Sequence, residues 1–206
     1  MRRVLVLALL ALALPMAAWA SGIDITNQYG NISISAAGIS SIGSQLRFFY
    51  GIKATPPHSL GSVSFSTGAC LTGCTAADLV SGTAGTTFSA IGSTFVIKGN
   101  GNNGIYHGTI FTGYFTGPIT WTLVSKVGQS YTYDLHGTIA GMLYTGRMVT
   151  GTTDQTIFSV PGQIAKGIGH IRMGGTVLVP EPGTLGLLGT GLVGIAGVFR
   201  RKFLSA

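Results

Sequence analysis

The sequence predicts an all-β domain, arranged as an antiparallel β-sandwich or roll of about ten short strands, between an N-terminal signal peptide and a C-terminal transmembrane helix. Three observations favour this arrangement. Glycine accounts for 33 of 206 residues, the chain has only 12 basic and 5 acidic residues, and apolar residues alternate with polar ones. This composition excludes helical bundles, coiled coils and acidic disordered tails, which need many more charged residues. With 46% hydrophobic residues, the chain can bury a core.

The first twenty residues have the three parts of a secretory signal peptide. Arg2 and Arg3 precede an uninterrupted apolar run over residues 4–14, and small residues follow at Ala18 and Ala20. We expect export through the Sec translocon and cleavage by signal peptidase after Ala20. An uncleaved anchor is the alternative, but the apolar run would span only about 16 Å of a hydrocarbon layer of about 30 Å.

A second apolar segment lies near the other end of the chain. An uncharged run over residues 183–199 follows a short proline-rich stretch and precedes a basic tail, which consists of Arg200, Arg201 and Lys202. As a helix, this run would rise about 25 Å, close to the lower limit for a membrane span. Because basic residues hold such a tail in the cytoplasm, we expect the preceding domain on the periplasmic side of the inner membrane.

Residues 21–179 are enough for one exported domain. Every second residue is apolar in 119–123 and 131–135, which is typical of strands with one buried face. A parallel β-helix is the alternative, although no fixed-period repeat runs through the chain. Further strand candidates are residues 32–36, 45–52, 62–66, 86–90, 94–98, 105–115, 142–149, 156–160 and 167–172, and residues 75–80 suggest one helical turn.

Two local motifs in this domain have structural interpretations. Cys70 and Cys74 are the only cysteines, and in an exported protein this spacing predicts a disulfide within one loop rather than a redox pair. Residues 99–104 match the glycine pattern of dinucleotide-binding loops, but a strand-like run follows instead of a helix. We therefore expect a hairpin loop there.

Histidines offer the best hint of a metal site. His107 and His136 each begin a His-Gly-Thr-Ile repeat and could supply two ligands. No third ligand lies at a suitable spacing, and His136 alternates with polar residues such as Asp134. We therefore expect solvent-exposed strand histidines and no metal, with His58 in a loop and His170 isolated.

Catalytic patterns are missing from the sequence. It contains no Gly-x-Ser-x-Gly elbow, no His-Glu-x-x-His and no pair of neighbouring carboxylates. The four aspartates are far apart, so we expect neither an enzyme nor a cofactor. The net charge of +7 does not indicate a nucleic-acid partner, because the basic residues between the termini are scattered singly.

The order of Val-Pro-Glu-Pro-Gly-Thr, a Leu/Gly-rich run and Arg-Arg-Lys resembles a PEP-CTERM protein-sorting signal. The resemblance implies that Pro180, Glu181 and Pro182 are the recognition motif, residues 183–199 the span and the basic tail a stop-transfer signal. It also implies recognition by an exosortase, a membrane protease and transpeptidase of Gram-negative bacteria. Proteins with this signal are exported, held in the inner membrane and then moved to the cell surface or an exopolysaccharide matrix.

The expected function is therefore that of a non-enzymatic protein of the cell surface or extracellular matrix. The alternative is a carbohydrate-binding or adhesion module that binds exopolysaccharide through exposed aromatic side chains. However, the candidate aromatic residues are spaced in phase along the strands, which favours a position in the buried core for their rings. The candidates are Tyr106, Tyr114, Trp121 and Tyr133.

Overall fold

The computed structural model describes residues 22–82, 85–160 and 162–180, and residues 22–179 form one compact unit. Within the described residues the chain forms thirteen strands and one short α-helix, α1 (Ala76–Ser81). The strands are β1 (Ile23–Gln28), β2 (Asn31–Ser35), β3 (Gly38–Phe49), β4 (Ile52–Lys53), β5 (Gly61–Ser66), β6 (Cys70–Thr72), β7 (Thr87–Phe88), β8 (Thr94–Asn100), β9 (His107–Phe115), β10 (Ile119–Val127), β11 (Ser130–Leu143), β12 (Met148–Ser159) and β13 (Ile168–Pro180).

The first two strands are two halves of one long strand. β1 pairs with the C-terminal half of β13, where Ile23 lies opposite Leu178. β2 pairs with the N-terminal half of β13 in the same register, where Asn31 lies opposite His170. A bend at Gly30, which has a φ of 101°, separates the two halves. Both halves also pair with β3, so together they occupy one position in the sheet.

The sheet closes on itself. From β1 and β2 it passes through β3, β5, β8, β9, β11, β12 and β13 and returns to the first strand. Neighbours in this circuit follow each other along the chain, apart from the insertions that carry β4, β6, β7 and β10. The predicted sandwich is therefore wrong. The all-β domain is a closed, eight-stranded, up-and-down barrel with additional strands outside it.

Glycine explains why the sequence pattern suggested short strands. The prediction placed separate strands over residues 131–135 and 142–149, whereas β11 runs for 14 residues and residues 142–149 contain a hairpin. Gly137 and Gly141 lie inside β11, and a Cβ on Gly137 would lie 2.7 Å from the Phe115 ring. These glycines allow close packing in a curved sheet, so they do not end the strand.

A layer outside the barrel covers part of β11. β10, β7 and β6 extend the sheet from β11, and α1 packs against β10 and β11. Trp121 and Tyr133 stack with ring centroids 4.5 Å apart. The Trp121 indole donates a hydrogen bond to the Leu79 carbonyl (3.0 Å), and the Tyr133 hydroxyl donates one to the Val80 carbonyl (2.7 Å). The helical turn predicted over residues 75–80 is confirmed, and these bonds satisfy two of its terminal carbonyls.

One part of the barrel interior is aromatic. Phe65 and Phe95 lie opposite each other on β5 and β8 and stack with centroids 5.8 Å apart. Phe111 and Phe115 from β9 pack edge-on against Phe95, at 6.2 Å and 5.9 Å. All four rings are buried, so they supply much of the apolar area that stabilises the barrel.

Another part of the interior is polar. The Asn27 amide donates to the Ser44 hydroxyl oxygen (2.7 Å) and to Gln155 Oε1 (2.9 Å), and Gln155 Nε2 donates to Thr153 Oγ1 (2.9 Å). The hydroxyl oxygens of Thr153 and Thr176 are 2.9 Å apart. All five side chains are buried. Because they come from β1, β3, β12 and β13, this network joins the first strands of the barrel to the last two.

The predicted membrane segments cannot be placed in this fold. Among the described residues, no helix is both long and apolar enough to cross a membrane. The predicted span over residues 183–199 and the predicted signal peptide over residues 1–20 both lie outside the described residues.

The polar network gives a stability prediction. Replacing Gln155 with leucine should lower the free energy of unfolding by about 2 to 4 kcal/mol, because Asn27 and Thr153 would lose buried partners. Chemical denaturation of residues 21–179 measures this loss. The matched control is Thr152→Leu on the exposed face of the same strand, which should change stability by less than about 0.5 kcal/mol. Equal effects of the two substitutions would contradict the buried network.

Candidate functional site

The predicted sorting motif begins at the end of the last barrel strand. β13 ends at Pro180, and Leu178 is buried opposite Ile23 of β1. On the other side, β12 approaches so closely that a Cβ on Gly151 would lie 1.9 Å from the Val177 carbonyl oxygen. The strand that leads into the motif is therefore held between two neighbouring strands, with no linker before Pro180.

The remaining predicted sorting residues lie outside the described residues. They are Glu181 and Pro182 of the motif, the span over residues 183–199, the basic residues Arg200, Arg201 and Lys202, and the signal-cleavage residues Ala18 and Ala20.

The chain enters and leaves the barrel at the same end. Ile23 is the first residue of β1, and it lies opposite Leu178, near the end of β13. The residues that adjoin the two predicted membrane segments are therefore neighbours in one sheet. We call this end of the barrel the exit end.

The predicted disulfide is confirmed. Cys70 at the start of β6 is bonded to Cys74, and their Cα atoms are 5.7 Å apart. The closed loop carries the exposed Leu71 and lies just before α1. Because the loop is so short, the bond constrains few unfolded conformations and contributes on the order of 2 kcal/mol. Its place in the outer layer indicates a structural role.

The four candidate aromatic residues separate into two groups. Trp121 and Tyr133 are fully buried beneath α1, and burial raises the pKa of Tyr133 to about 12, with a smaller contribution from the neighbouring Tyr131. Tyr106 and Tyr114 are exposed, at opposite ends of β9. Eight residue-to-residue steps along the strand separate them, or about 26 Å. The predicted core role is therefore correct for Trp121 and Tyr133 and wrong for the other two.

The sheet brings a histidine and an aspartate together on the outer wall. His136 on β11 lies opposite Asp154 on β12, and His136 Nδ1 bonds to the Asp154 carboxylate. Both side chains are exposed, as predicted for His136. The sequence did not identify Asp154 as the partner of His136, because the pairing depends on the register of the β11–β12 hairpin. The Met142 to Met148 pairing sets that register.

Asp134 lies on the same face of β11, two residues from His136. Partial burial raises the pKa of Asp134, the nearby Asp154 carboxylate raises it further, and His136 lowers it. The three groups form one electrostatic cluster on an open sheet surface. A histidine that is hydrogen-bonded to a carboxylate can accept or donate a proton. Among the described residues, however, no serine, threonine or cysteine is seen hydrogen-bonded to the His136 ring, so the cluster lacks a nucleophile that it could activate.

The other histidines are separate from this cluster. His107 begins β9 and packs beside Gly101 in the loop between β8 and β9, which confirms the predicted hairpin at residues 99–104. His58 lies in the loop after β4, where its carbonyl accepts a hydrogen bond from Arg47. Among the described residues, no group of three or more His, Cys, Asp or Glu is placed to hold a metal ion.

His170 lines a shallow groove on the wall formed by β12 and β13. Its Nδ1 lies 2.9 Å from Asn31 Oδ1, so it is not isolated as the sequence suggested. Tyr29 and Phe158 form the apolar side of this groove. The Arg47 guanidinium lies over the Tyr29 ring, 5.3 Å from its centroid, and adds a cation–π contact to this surface.

Comparison with known proteins identifies the C-terminal segment. A family model described as the PEP-CTERM protein-sorting motif matches residues 178–202. The chain has no match among curated proteins or among solved structures. The match begins at the buried Leu178 and includes the proline-rich motif, the apolar run and the basic tail. It implies an exported protein that an exosortase sorts, and it gives no role to the barrel.

The cluster of Asp134, His136 and Asp154 gives a prediction about pKa values. Replacing Asp154 with asparagine should lower the pKa of Asp134, because one of the charges that raises it is removed. The pKa of Asp134 should still stay above that of an ordinary aspartate, since burial is the larger cause of the increase. Carboxyl NMR titration measures this midpoint, and Asp78→Asn on α1 is the distant control. An unchanged Asp134 midpoint in the Asp154 variant would contradict the arrangement.

The raised pKa of Asp134 determines how this group affects stability as the pH changes. Asp134 contributes stability at pH values below its unfolded pKa, and this contribution is lost as the pH rises through the folded pKa. Asp134→Asn should therefore increase the free energy of unfolding at neutral pH relative to the parent chain. This gain should disappear in acid, where Asp134 is protonated in both states.

Proposed function

We propose that this chain, which carries a PEP-CTERM protein-sorting motif at residues 178–202, is a non-enzymatic protein of the cell surface or extracellular matrix. In this proposal the Sec translocon exports it and signal peptidase removes residues 1–20. The span over residues 183–199 then holds it in the inner membrane of a Gram-negative bacterium. An exosortase processes it near Pro180, Glu181 and Pro182, and the barrel is the cargo that reaches the surface.

The family match is the observation that carries the proposal. Its three parts occur in the order that such a signal requires, and the match begins within the last barrel strand. Paired prolines fix φ and remove backbone donors, so Glu181 would stand on an extended segment that a protease can hold by its single negative charge. The barrel before it uses only residues up to Pro180, so removal of the tail would leave all its described strands in place.

The chemistry of the barrel supports a non-enzymatic role. Among the described residues the clearest acid–base pair is His136 with Asp154, and both lie exposed on the outer wall rather than in a cleft. Catalytic groups usually act in concave sites that exclude water. A durable surface component needs a stable core, which the buried aromatic rings and the polar network supply.

The geometry gives less support to the carbohydrate-binding alternative. Two of its four aromatic candidates, Trp121 and Tyr133, are buried and therefore unable to stack on a sugar. Tyr106 and Tyr114 are exposed but lie at opposite ends of β9. Their separation of about 26 Å exceeds the reach of a shared platform for neighbouring sugar rings. Exopolysaccharide therefore enters the proposal as the surroundings of the protein rather than as its ligand.

The proposal predicts the fate of motif variants. Replacing Glu181 and Pro182 with alanine should leave the chain in the inner membrane, because the exosortase would lose its recognition motif while the span stays intact. Cell fractionation followed by mass spectrometry measures this outcome. The matched control is Thr184→Ser, just after the motif, which should be processed like the parent chain. Normal processing of the double variant would contradict sorting through this motif.

A further inference from the structure

The exit end of the barrel carries three exposed tyrosines on three different loops. Tyr50 follows β3 and is 59% exposed, Tyr106 precedes β9 and is 48% exposed, and Tyr144 follows β11 and is 54% exposed. Tyr106 and Tyr144 stack with centroids 4.5 Å apart and planes at 16°, which fixes both rings. Tyrosine has an apolar ring and a polar hydroxyl, so it favours the boundary between water and a lipid headgroup layer.

Apolar side chains flank these tyrosines on the outer wall. Met142 and Met148 form a cross-strand pair beside the Tyr144 turn, and they are 47% and 45% exposed. Val177 and Val179, near the end of β13, are also exposed. These residues lie on β11, β12 and β13, while Tyr50 lies beyond β3. Exposed apolar groups are thus spread around this end of the barrel instead of forming one groove.

The charges at the exit end are mainly positive. Lys53, Lys98 and Arg147 are exposed there, and none of them forms an ion pair with a described residue. Asp24 is the acidic residue that the described chain places at this end. The other described aspartates lie on α1 and on the β11–β12 wall. An unpaired cationic surface with exposed tyrosines is the combination that binds anionic phospholipid headgroups.

The position of the two chain exits selects the partner. Both predicted membrane segments, residues 1–20 and 183–199, connect to the barrel at this end through Ile23 and Leu178. Leu178 is also the first residue of the matched sorting segment. If residues 183–199 span the membrane as proposed, the exit end holds the barrel residues that are nearest to this span in the sequence.

We propose that the exit end of the barrel docks on the surface of a phospholipid bilayer that contains anionic headgroups. The tyrosines enter the headgroup layer, the flanking methionines and valines cover its edge, and the three cations bind phosphate groups. Docking adds these contacts to the attachment through the proposed span. This inference rests on the proposed export and anchoring, and it assigns a role to a surface that, apart from Val179, lies outside the matched sorting segment.

Fluorescence quenching by brominated lipids tests the docking. The test uses residues 21–206, because the proposed precursor lacks residues 1–20, and the buried Trp121 is the one native tryptophan of this chain. A single reporter is added either at the exit end, as Tyr144→Trp, or at the opposite end, as Ile91→Trp. Ile91 is 87% exposed in the turn before β8, which makes it a matched exposed control.

Each variant is incorporated into vesicles of phosphatidylcholine with phosphatidylglycerol, with and without brominated acyl chains, and recovered by flotation. We expect about threefold more quenching of the reporter at position 144 than of the one at position 91, because bromine quenches at contact range and position 144 would lie where the headgroup layer meets the acyl chains. Lys53→Glu combined with Arg147→Glu should reduce this quenching to the level of the control. Circular dichroism verifies that each variant keeps its β-structure.

The outcomes separate docking from sorting. A chain that fails to float with the vesicles would contradict the membrane anchor and the docking together. A chain that floats but shows equal quenching at both positions would overturn the docking alone, and the motif variants described above would still test the sorting. Quenching at position 144 that is unaffected by the charge reversals, or by exchange of phosphatidylglycerol for phosphatidylcholine, would overturn the anionic partner. Binding of purified exopolysaccharide to the vesicle-free chain, lost in a Tyr144→Ala variant, would assign this surface to a glycan instead.

Discussion

The pairing of the first strand with the last one determines the rest of the structure. β1 and β2 lie along β13 in one register from Ile23 opposite Leu178 to Ile168 opposite Ser33. This contact closes an open antiparallel sheet into a barrel and removes both of its unpaired edges. It also encloses the aromatic and polar parts of the interior. Finally, it brings the beginning and the end of the domain to one end of the barrel, where the sorting signal starts.

The sequence was sufficient to predict the strand type and several elements. Alternation identified β10 and the first half of β11, and the composition excluded helical folds. It could not identify closure, because strand alternation shows which face is buried but not whether that face is the inside of a barrel or one layer of a sandwich. Long-range pairing between β1 and β13 has no local signal. β1 was missed altogether, because its buried Asn27 is polar and interrupts the apolar pattern.

The candidate sites likewise differ in whether they depend on residues that are close in the sequence or on long-range strand pairing. The disulfide and the sorting motif depend on residues close together in the sequence, so spacing was enough to predict them. The His136–Asp154 pair depends on the position of the Leu143–Arg147 turn, and the sequence analysis placed a strand across that turn. The stacking of Tyr106 on Tyr144 joins two loops that are neighbours only because β9 pairs with β11.

The barrel and the sorting segment overlap in the sequence. The sorting segment begins while the chain is still part of a closed sheet, so the end of β13 belongs to the core and leads directly into the motif. Leu178 belongs to the buried core of the barrel, and Glu181 belongs to the proposed recognition motif. Between them lies only the end of a strand, which couples the position of the motif to the integrity of the fold.

The most direct measurement of this account is a cross-link between the first and last strands. Asp24 and Val177 lie opposite each other and both are exposed, so Asp24→Cys with Val177→Cys should form a disulfide in the exported protein. Asp24→Cys with Met173→Cys should not, because the second position is about 13 Å farther along β13. Mass spectrometry under non-reducing conditions distinguishes the two. Closure of the barrel predicts the first cross-link alone, and formation of the second or of neither would contradict it.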